Sequence, residues 1–326
     1  MAIATSLAAI PIMTSADSLG ESVRSPAMQH LLGRAAAFAP WPIPVLIQGE
    51  SGSGKTRLAR LLHALSTRAN APFEGLSLAE PEVGLLSSEL FGHVAGGFTD
   101  ARTRRDGLLM RADHGTVFFD EVGKCPMRVQ HKLLSILDSQ TFHPVGSDRS
   151  VTVDVRFVFA ASEPLEDLVA SGALARDFRP RLGPVVLRLP PLRDRREDII
   201  PLARGFVARY VRRGPDPARR APELSDRLCE SLLAYHWPDN VRQLEYLMSA
   251  LVILSNGEPM LDTTQLGEEL AAFARHGDEP GRLERGRQDR EDRAKRALRQ
   301  TAGNKTTAAR LLGWSLSKLK RVLRDT

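Results

Sequence analysis

VLIQGESGSGKTRLARLL, residues 45–62, is the stretch that decides the fold. Val45-Leu46-Ile47 is a short apolar run of the kind a buried strand uses, and from Arg57 onward Leu58, Ala59, Leu61 and Leu62 recur at helical spacing. Between them Gly49, Glu50, Ser51, Gly52, Ser53, Gly54, Lys55 and Thr56 fit the pattern G-x-x-x-x-G-K-[ST]. Strand, glycine loop and helix in that order are the setting the pattern needs. The three glycines let the backbone curl so that successive N–H groups and the helix N-terminus face the β- and γ-phosphates of a nucleoside triphosphate. Lys55 adds a point charge and Thr56 offers a hydroxyl to Mg2+. A plain Gly/Ser turn that happened to carry Lys-Thr would require neither neighbour.

Working outward, a second apolar run, Thr116-Val117-Phe118-Phe119, leads directly into Asp120-Glu121. An apolar strand that ends in two acids is often just a strand meeting its loop; beside a phosphate loop it reads as the hydrolytic half of the site. Asp120 can hold magnesium through water, and Glu121 can orient and deprotonate the attacking water.

The third motif is SSELFGHVAGGFTDA at 87–101. With the phosphate loop before it and Asp120-Glu121 after it, the chain resembles the bacterial enhancer-binding proteins, AAA+ activators of RNA polymerase carrying the sigma-54 factor, from about residue 25 to the C-terminus. The resemblance implies an α/β fold: an AAA+ P-loop ATPase with a parallel sheet and flanking helices, a helical lid, and a C-terminal helix-turn-helix domain. It implies ATP and Mg2+ as cofactors, a homo-oligomer between dimer and hexameric ring, and a loop whose tip, Phe98 and Thr99, touches the sigma factor. The family pattern GAFTGA stands here as Gly96-Gly97-Phe98-Thr99-Asp100-Ala101, so a glycine replaces alanine and an aspartate replaces glycine. The extra glycine loosens the loop and the aspartate adds a charge beside its tip.

Other positions carry over one at a time. Arg181 matches one of two arginines that reach a neighbouring subunit's γ-phosphate, while the second position is Ala175, with Arg176 and Arg179 close by. Arg242, in Trp237-Pro238-Asp239-Asn240-Val241-Arg242, inherits the role of sensing bound nucleotide. An asparagine of the family that restrains the catalytic glutamate is replaced near Ser77, and a Thr-Asn pair by Ala161-Ser162, after an expected strand over Arg156 to Ala160. On this reading Lys55, Glu121 and Arg181 are the catalytic residues.

Charge separates the tail from the rest. Residues 282–326 hold fourteen Lys and Arg against five Asp and Glu, so of the chain's net +6 the tail carries +9 and the remainder −3. Such a tail points to nucleic acid. Residues 274–288 mix Gly, Pro and both charge signs without apolar periodicity and read as a linker. Helices follow over 289–300, 305–312 and 315–324, the last two joined at Gly313-Trp314 as a helix-turn-helix. The segment 302–313 resembles the Fis-type DNA-binding end of the same family. Lys305, Thr306, Ser315, Ser317, Lys318, Lys320, Arg321 and Arg324 are the candidate contacts to an upstream activator site.

The chain of 326 residues, 42% hydrophobic and 26% charged, is long enough for several parts. The expected division is a disordered leader at 1–22, an ATPase core at 23–192, a helical lid at 193–273, a linker at 274–290 and the DNA-binding domain at 291–326. Helical periodicity is plain over 224–235 and 241–254. Cys125 and Cys229 are too few and too far apart for a disulfide framework or metal site, and no apolar run reaches membrane-spanning length. A cytoplasmic protein with no membrane partner is expected. With so little sequence before the core, control is expected from a partner protein, from expression level, or not at all. Two readings follow: an ATP-hydrolysing activator of sigma-54 polymerase, or a DNA-binding repressor or co-regulator whose degenerate ATPase serves nucleotide-gated oligomerisation.

Overall fold

Alternation inside the apolar runs builds the central layer. Val45, Ile47, Phe118, Val158 and Ala160 turn to one face of a sheet, and Leu46, Val117, Phe119, Phe157 and Phe159 to the other. Runs buried on both faces suit a parallel sheet covered twice, and the five strands are β1 (Val45–Gln48), β2 (Phe73–Ser77), β3 (Thr116–Asp120), β4 (Arg156–Ala161) and β5 (Val185–Arg188). They pair in parallel in the order β2-β3-β4-β1-β5. The structure, a computed structural model, describes residues 23–79, 83–96 and 103–265 together with Thr301, Lys305 and Ala309.

Helices α1 (Pro26–Phe38) and α2 (Lys55–Ala64) cover the first face through Met28, Leu31, Leu58 and Leu62. On the second lie α3 (Val83–Phe91), α4 (Met127–Ser139) and the short α5 (Leu165–Ala170), which contribute Leu86, Leu90, Leu133, Ile136 and Leu168. This is the α/β sheet with flanking helices that the sequence predicts. Arg156 opens β4 in the core yet is 2% exposed. Its guanidinium donates to the carbonyls of Phe38, Ala39 and Leu62, where α1 and α2 run out of internal partners. Burial pulls its pKa down to about 10, which still leaves it charged at neutral pH.

A third apolar cluster forms the lid: α6 (Ile199–Arg213), α7 (Asp226–Ala234) and α8 (Asn240–Leu254) pack around Trp237, which is fully buried and donates its indole N–H to Leu232 O at 3.0 Å. The helix expected from residue 224 starts two residues later. Ser225 Oγ caps it by accepting from Leu228 N, and Leu224 instead pairs with Leu261. Of the tail, Lys305 is helical and exposed and Ala309 helical and buried; Thr306, Ser315, Ser317, Lys318, Lys320, Arg321, Arg324 and the helix-turn-helix expectation as a whole lie outside the described residues.

Candidate functional site

The site forms at the C-terminal ends of β1, β3 and β4, where parallel strands deliver their following loops to one edge. After β1 the backbone takes left-handed values at Gly52 (φ 71°) and Gly54 (φ 111°), and α2 begins at Lys55. A side chain at position 52 is opposed on two counts: a φ that strains any residue but glycine, and a Cβ only 2.2 Å from Asp239 O in the lid. The loop therefore presents backbone N–H groups and the N-terminus of a ten-residue helix. Ser53 Oγ is buried there without a hydrogen-bond partner. Curl, helix terminus, orphan hydroxyl and buried lysine together fit a polyphosphate. For a cation the donors are hard oxygens, the Thr56 hydroxyl, exposed on the first turn of α2, and the Asp120 carboxylate at the end of β3, which suits Mg2+.

Lys55 is 6% exposed and uses all three of its N–H donors: to Gly49 O (3.0 Å), to Glu50 O (3.3 Å) and to Ser162 Oγ (2.8 Å). Burial lowers its pKa, while Asp120 and Glu121 pull in the opposite direction. Ser162, immediately after β4, passes its own hydroxyl proton toward Glu121 Oε1 at 2.8 Å. The two catalytic candidates are thus joined through one hydroxyl. Glu121 sits at φ 55°, ψ 46°, a left-handed conformation that costs a non-glycine residue roughly 1 kcal/mol or more. Burial pushes the Glu121 pKa up, but the Ser162 hydrogen bond, Lys124 at 3.3 Å and Lys55 outweigh it and hold the carboxylate below its ordinary range. Asp120 Oδ1 accepts from the Glu121 backbone N–H at 2.9 Å, fixing the turn between the two acids.

Ser77 lies opposite Asp120 in the β2–β3 ladder and its hydroxyl accepts from Ala79 N, whereas the hydrogen bond to Glu121 comes from Ser162.

The lid closes the site from above the loop. Arg242 donates its backbone N–H to Gly52 O (3.3 Å) and Nη1 to Ser51 Oγ (3.3 Å). Asn240, Arg193 and Arg195 also reach the loop; the sequence carries no signal for them in the site beyond the nearness of Asn240 to Arg242 in WPDNVR. Arg195 Nη2 donates to Ser53 O at 2.6 Å, and burial draws its pKa down to about 10. The Glu50 side chain turns to Arg193 and Asn240, so its backbone is the part that belongs to the cradle. A small apolar cavity opens beside Gly54, lined by Val23, Leu32, Leu58, Leu189, Leu202 and Val241 from core and lid together.

Two sets of predicted residues stand apart. Arg181 is exposed on a short turn and pairs with Asp138 at 2.6 Å; among the described residues no hydrogen bond links it to the phosphate loop of its own chain. Ala175 is half-buried and held by Gln130, whose amide spans Cys125 O, Ala173 O and Ala175 N. Phe98, Thr99 and their neighbours 97–102 lie outside the described residues. The base of that loop is present: Gly92-His93 pairs with Arg105-Asp106, and Gly92 (φ 72°) and Gly107 are pressed so closely that a Cβ on either would meet backbone at 2.5 Å or less.

A parallel five-stranded sheet with its phosphate loop, acidic strand end and helical lid defines an AAA+ ATPase fold. Residues 22–188 match the family described as the sigma-54 interaction domain, and residues 193–282 match the AAA+ ATPase lid domain. The chain is 39% identical over 316 residues to the transcriptional regulatory protein ZraR of Klebsiella oxytoca, covering 94% of this chain and 70% of the relative. It is 38% identical over 338 residues to the DNA-binding transcriptional regulator NtrC of Klebsiella pneumoniae, at 95% and 70% coverage. NtrX from Brucella abortus, solved in complex with ATP, superposes with a TM-score of 0.69 at 30% identity, over 93% of this chain and 68% of that one. The chain belongs to the AAA+ sigma-54 interaction family of transcriptional regulators.

Proposed function

We propose that the chain is a magnesium-dependent ATPase that assembles into a ring, binds upstream DNA through its tail and uses hydrolysis to activate sigma-54 RNA polymerase. The observation that carries this reading is the hydrogen-bonded series Lys55–Ser162–Glu121 beside a helix N-terminus, in a chain of that family. The ATP in the NtrX complex and the description of NtrC as DNA-binding support the choice of ligands.

In this account the N–H groups from Gly49 to Thr56 and the Lys55 ammonium hold the phosphates. Thr56 and Asp120 hold Mg2+, which when bound neutralises phosphate charge. Glu121, kept ionised by its neighbours, takes a proton from the attacking water. Arg242 rests over the loop to read its occupant, and Arg181, free of its own loop, acts on the nucleotide of an adjacent subunit. Phe98 and Thr99 contact the sigma factor. The functional units are 23–192 for hydrolysis, 193–273 for the lid and 291–326 for DNA, joined by 274–290.

Binding and turnover of ATP by wild type and Glu121→Gln test the proposal. Glu121→Gln should bind ATP within about threefold of wild type and lose at least about 100-fold in turnover, the scale of a general base. Wild type that binds no ATP, or a Glu121→Gln protein that hydrolyses as fast, defeats it. The co-regulator alternative is favoured by one observation, the half-buried Ala175 where a second arginine would stand; it predicts nucleotide-driven assembly with very slow turnover.

A further inference from the structure

Three residues far apart in sequence meet on the apex of the phosphate loop. Asn240, the first residue of α8, is fully buried and held at φ 51°. Its Oδ1 accepts from Leu192 N (2.8 Å), and its Nδ2 donates to Ser51 O (2.9 Å) and to Glu50 Oε2 (3.2 Å). The same Glu50 carboxylate receives a two-pronged grip from Arg193, Nη1 to Oε2 at 2.8 Å and Nη2 to Oε1 at 2.6 Å. One buried amide therefore ties together the core–lid junction, the lid helix and the loop. The bidentate pair fixes Glu50 in direction as well as distance.

We infer that Asn240 and Arg193 are positioning residues that act through Glu50 and Ser51 to make the shape of the phosphate loop depend on the seating of the lid. Asn240 Nδ2 and both Nη groups of Arg193 donate to the loop itself. An unseated lid breaks the hydrogen bonds from Asn240 to Ser51 and Glu50 and leaves Glu50 without its cation, so loop and lid move as one. Glycine at position 52 belongs to the same device, because Asp239 O leaves no room for a larger residue. Nucleotide affinity then depends on a lid asparagine whose amide is engaged by Leu192, Glu50 and Ser51. This consequence rests on the ATP-binding reading above; the coupling of loop to lid does not.

The experiment has a nucleotide-free arm and a nucleotide arm. Asn240→Gly removes the amide while keeping a residue at ease with positive φ. In the full-length protein without nucleotide, hydrogen exchange of the peptide spanning 49–55 should quicken about tenfold in Asn240→Gly and in Arg193→Ala, with exchange in β3 and β4 unchanged. With a fluorescent ATP analogue, each variant should bind roughly tenfold more weakly, and the double variant should lose less than the product of the two, since the two side chains share Glu50. Glu50→Gln, which keeps the shape and drops the charge, serves if Asn240→Gly does not fold. Unchanged loop exchange in the variants, or losses that multiply in the double variant, overturns the inference. Wild type that binds no analogue while loop exchange still responds defeats the ATP-binding reading and leaves the coupling standing.

Discussion

Lys55, Ser162 and Glu121 form a series in which each member depends on the next. The ammonium has no spare donor, so a phosphate can be received only by giving up a carbonyl of the loop or Ser162. Ser162→Ala removes a donor to Glu121 and an acceptor of Lys55 together. Turnover should fall about tenfold with KM for ATP changed less than about threefold, and Ser162→Thr should restore most of it; steady-state kinetics of the three proteins decides. At the same scale Glu50 has a depressed pKa, chiefly from the Arg193 hydrogen bond, against the opposing push of burial. A carboxylate lowered on folding contributes stability that is fully present above its ordinary value of 4.5 and disappears as pH falls through the depressed one. The difference in melting temperature between wild type and Glu50→Gln should therefore stay constant from pH 7 to about 5.5 and shrink only on further acidification. A difference that already collapsed between pH 7 and 6 would contradict the assignment.

Among the elements, those with local signals were legible in the sequence and those held by distant partners were not. Strand β1, its glycine loop and α2 follow from the alternation of apolar residues and from glycines that the backbone needs; the acidic end of β3 follows from an apolar run meeting two carboxylates. The lid's grip on the loop was not legible, because Asn240 and Ser51 are 189 residues apart and meet only after the sheet and lid have formed. The left-handed backbone at Glu121 and Asn240 leaves no mark in composition either. Leu224 reads as helix because it is apolar at helical spacing, but Ser225 is the better cap and Leu261 the available partner. The lid itself depends on Trp237, whose ring packs edge-on against Tyr235 and whose N–H is satisfied inside. Trp237→Ala should cost about 3–5 kcal/mol, visible in denaturant unfolding as loss of the lid before the sheet. A loss under about 1 kcal/mol would mean that the tryptophan is not the lid's centre.

At the scale of the whole molecule, charge and assembly set the behaviour. With +9 on the last 45 residues and −3 on the rest, DNA affinity should reside in the tail. A protein ending at residue 290 should lose specific DNA binding in a gel-shift assay while keeping its ATPase. Intact protein should lose affinity by on the order of tenfold or more between 50 and 200 mM salt if several phosphates are neutralised. A truncated protein that still shifts its operator would move DNA recognition elsewhere. Because Arg181 points away from its own loop toward Asp138, turnover per subunit should rise with protein concentration as subunits meet; a rate unaffected by dilution would contradict that role. The central claim joins hydrolysis to the polymerase, and one measurement reaches it directly: open-complex formation by purified sigma-54 RNA polymerase on a cognate promoter, with ATP, in the presence of this protein. The account predicts open complexes with wild type and ATP, and none with Glu121→Gln or with wild type and ADP. Wild type that hydrolyses ATP and binds the promoter DNA yet yields no open complex would contradict it and point to the co-regulator instead.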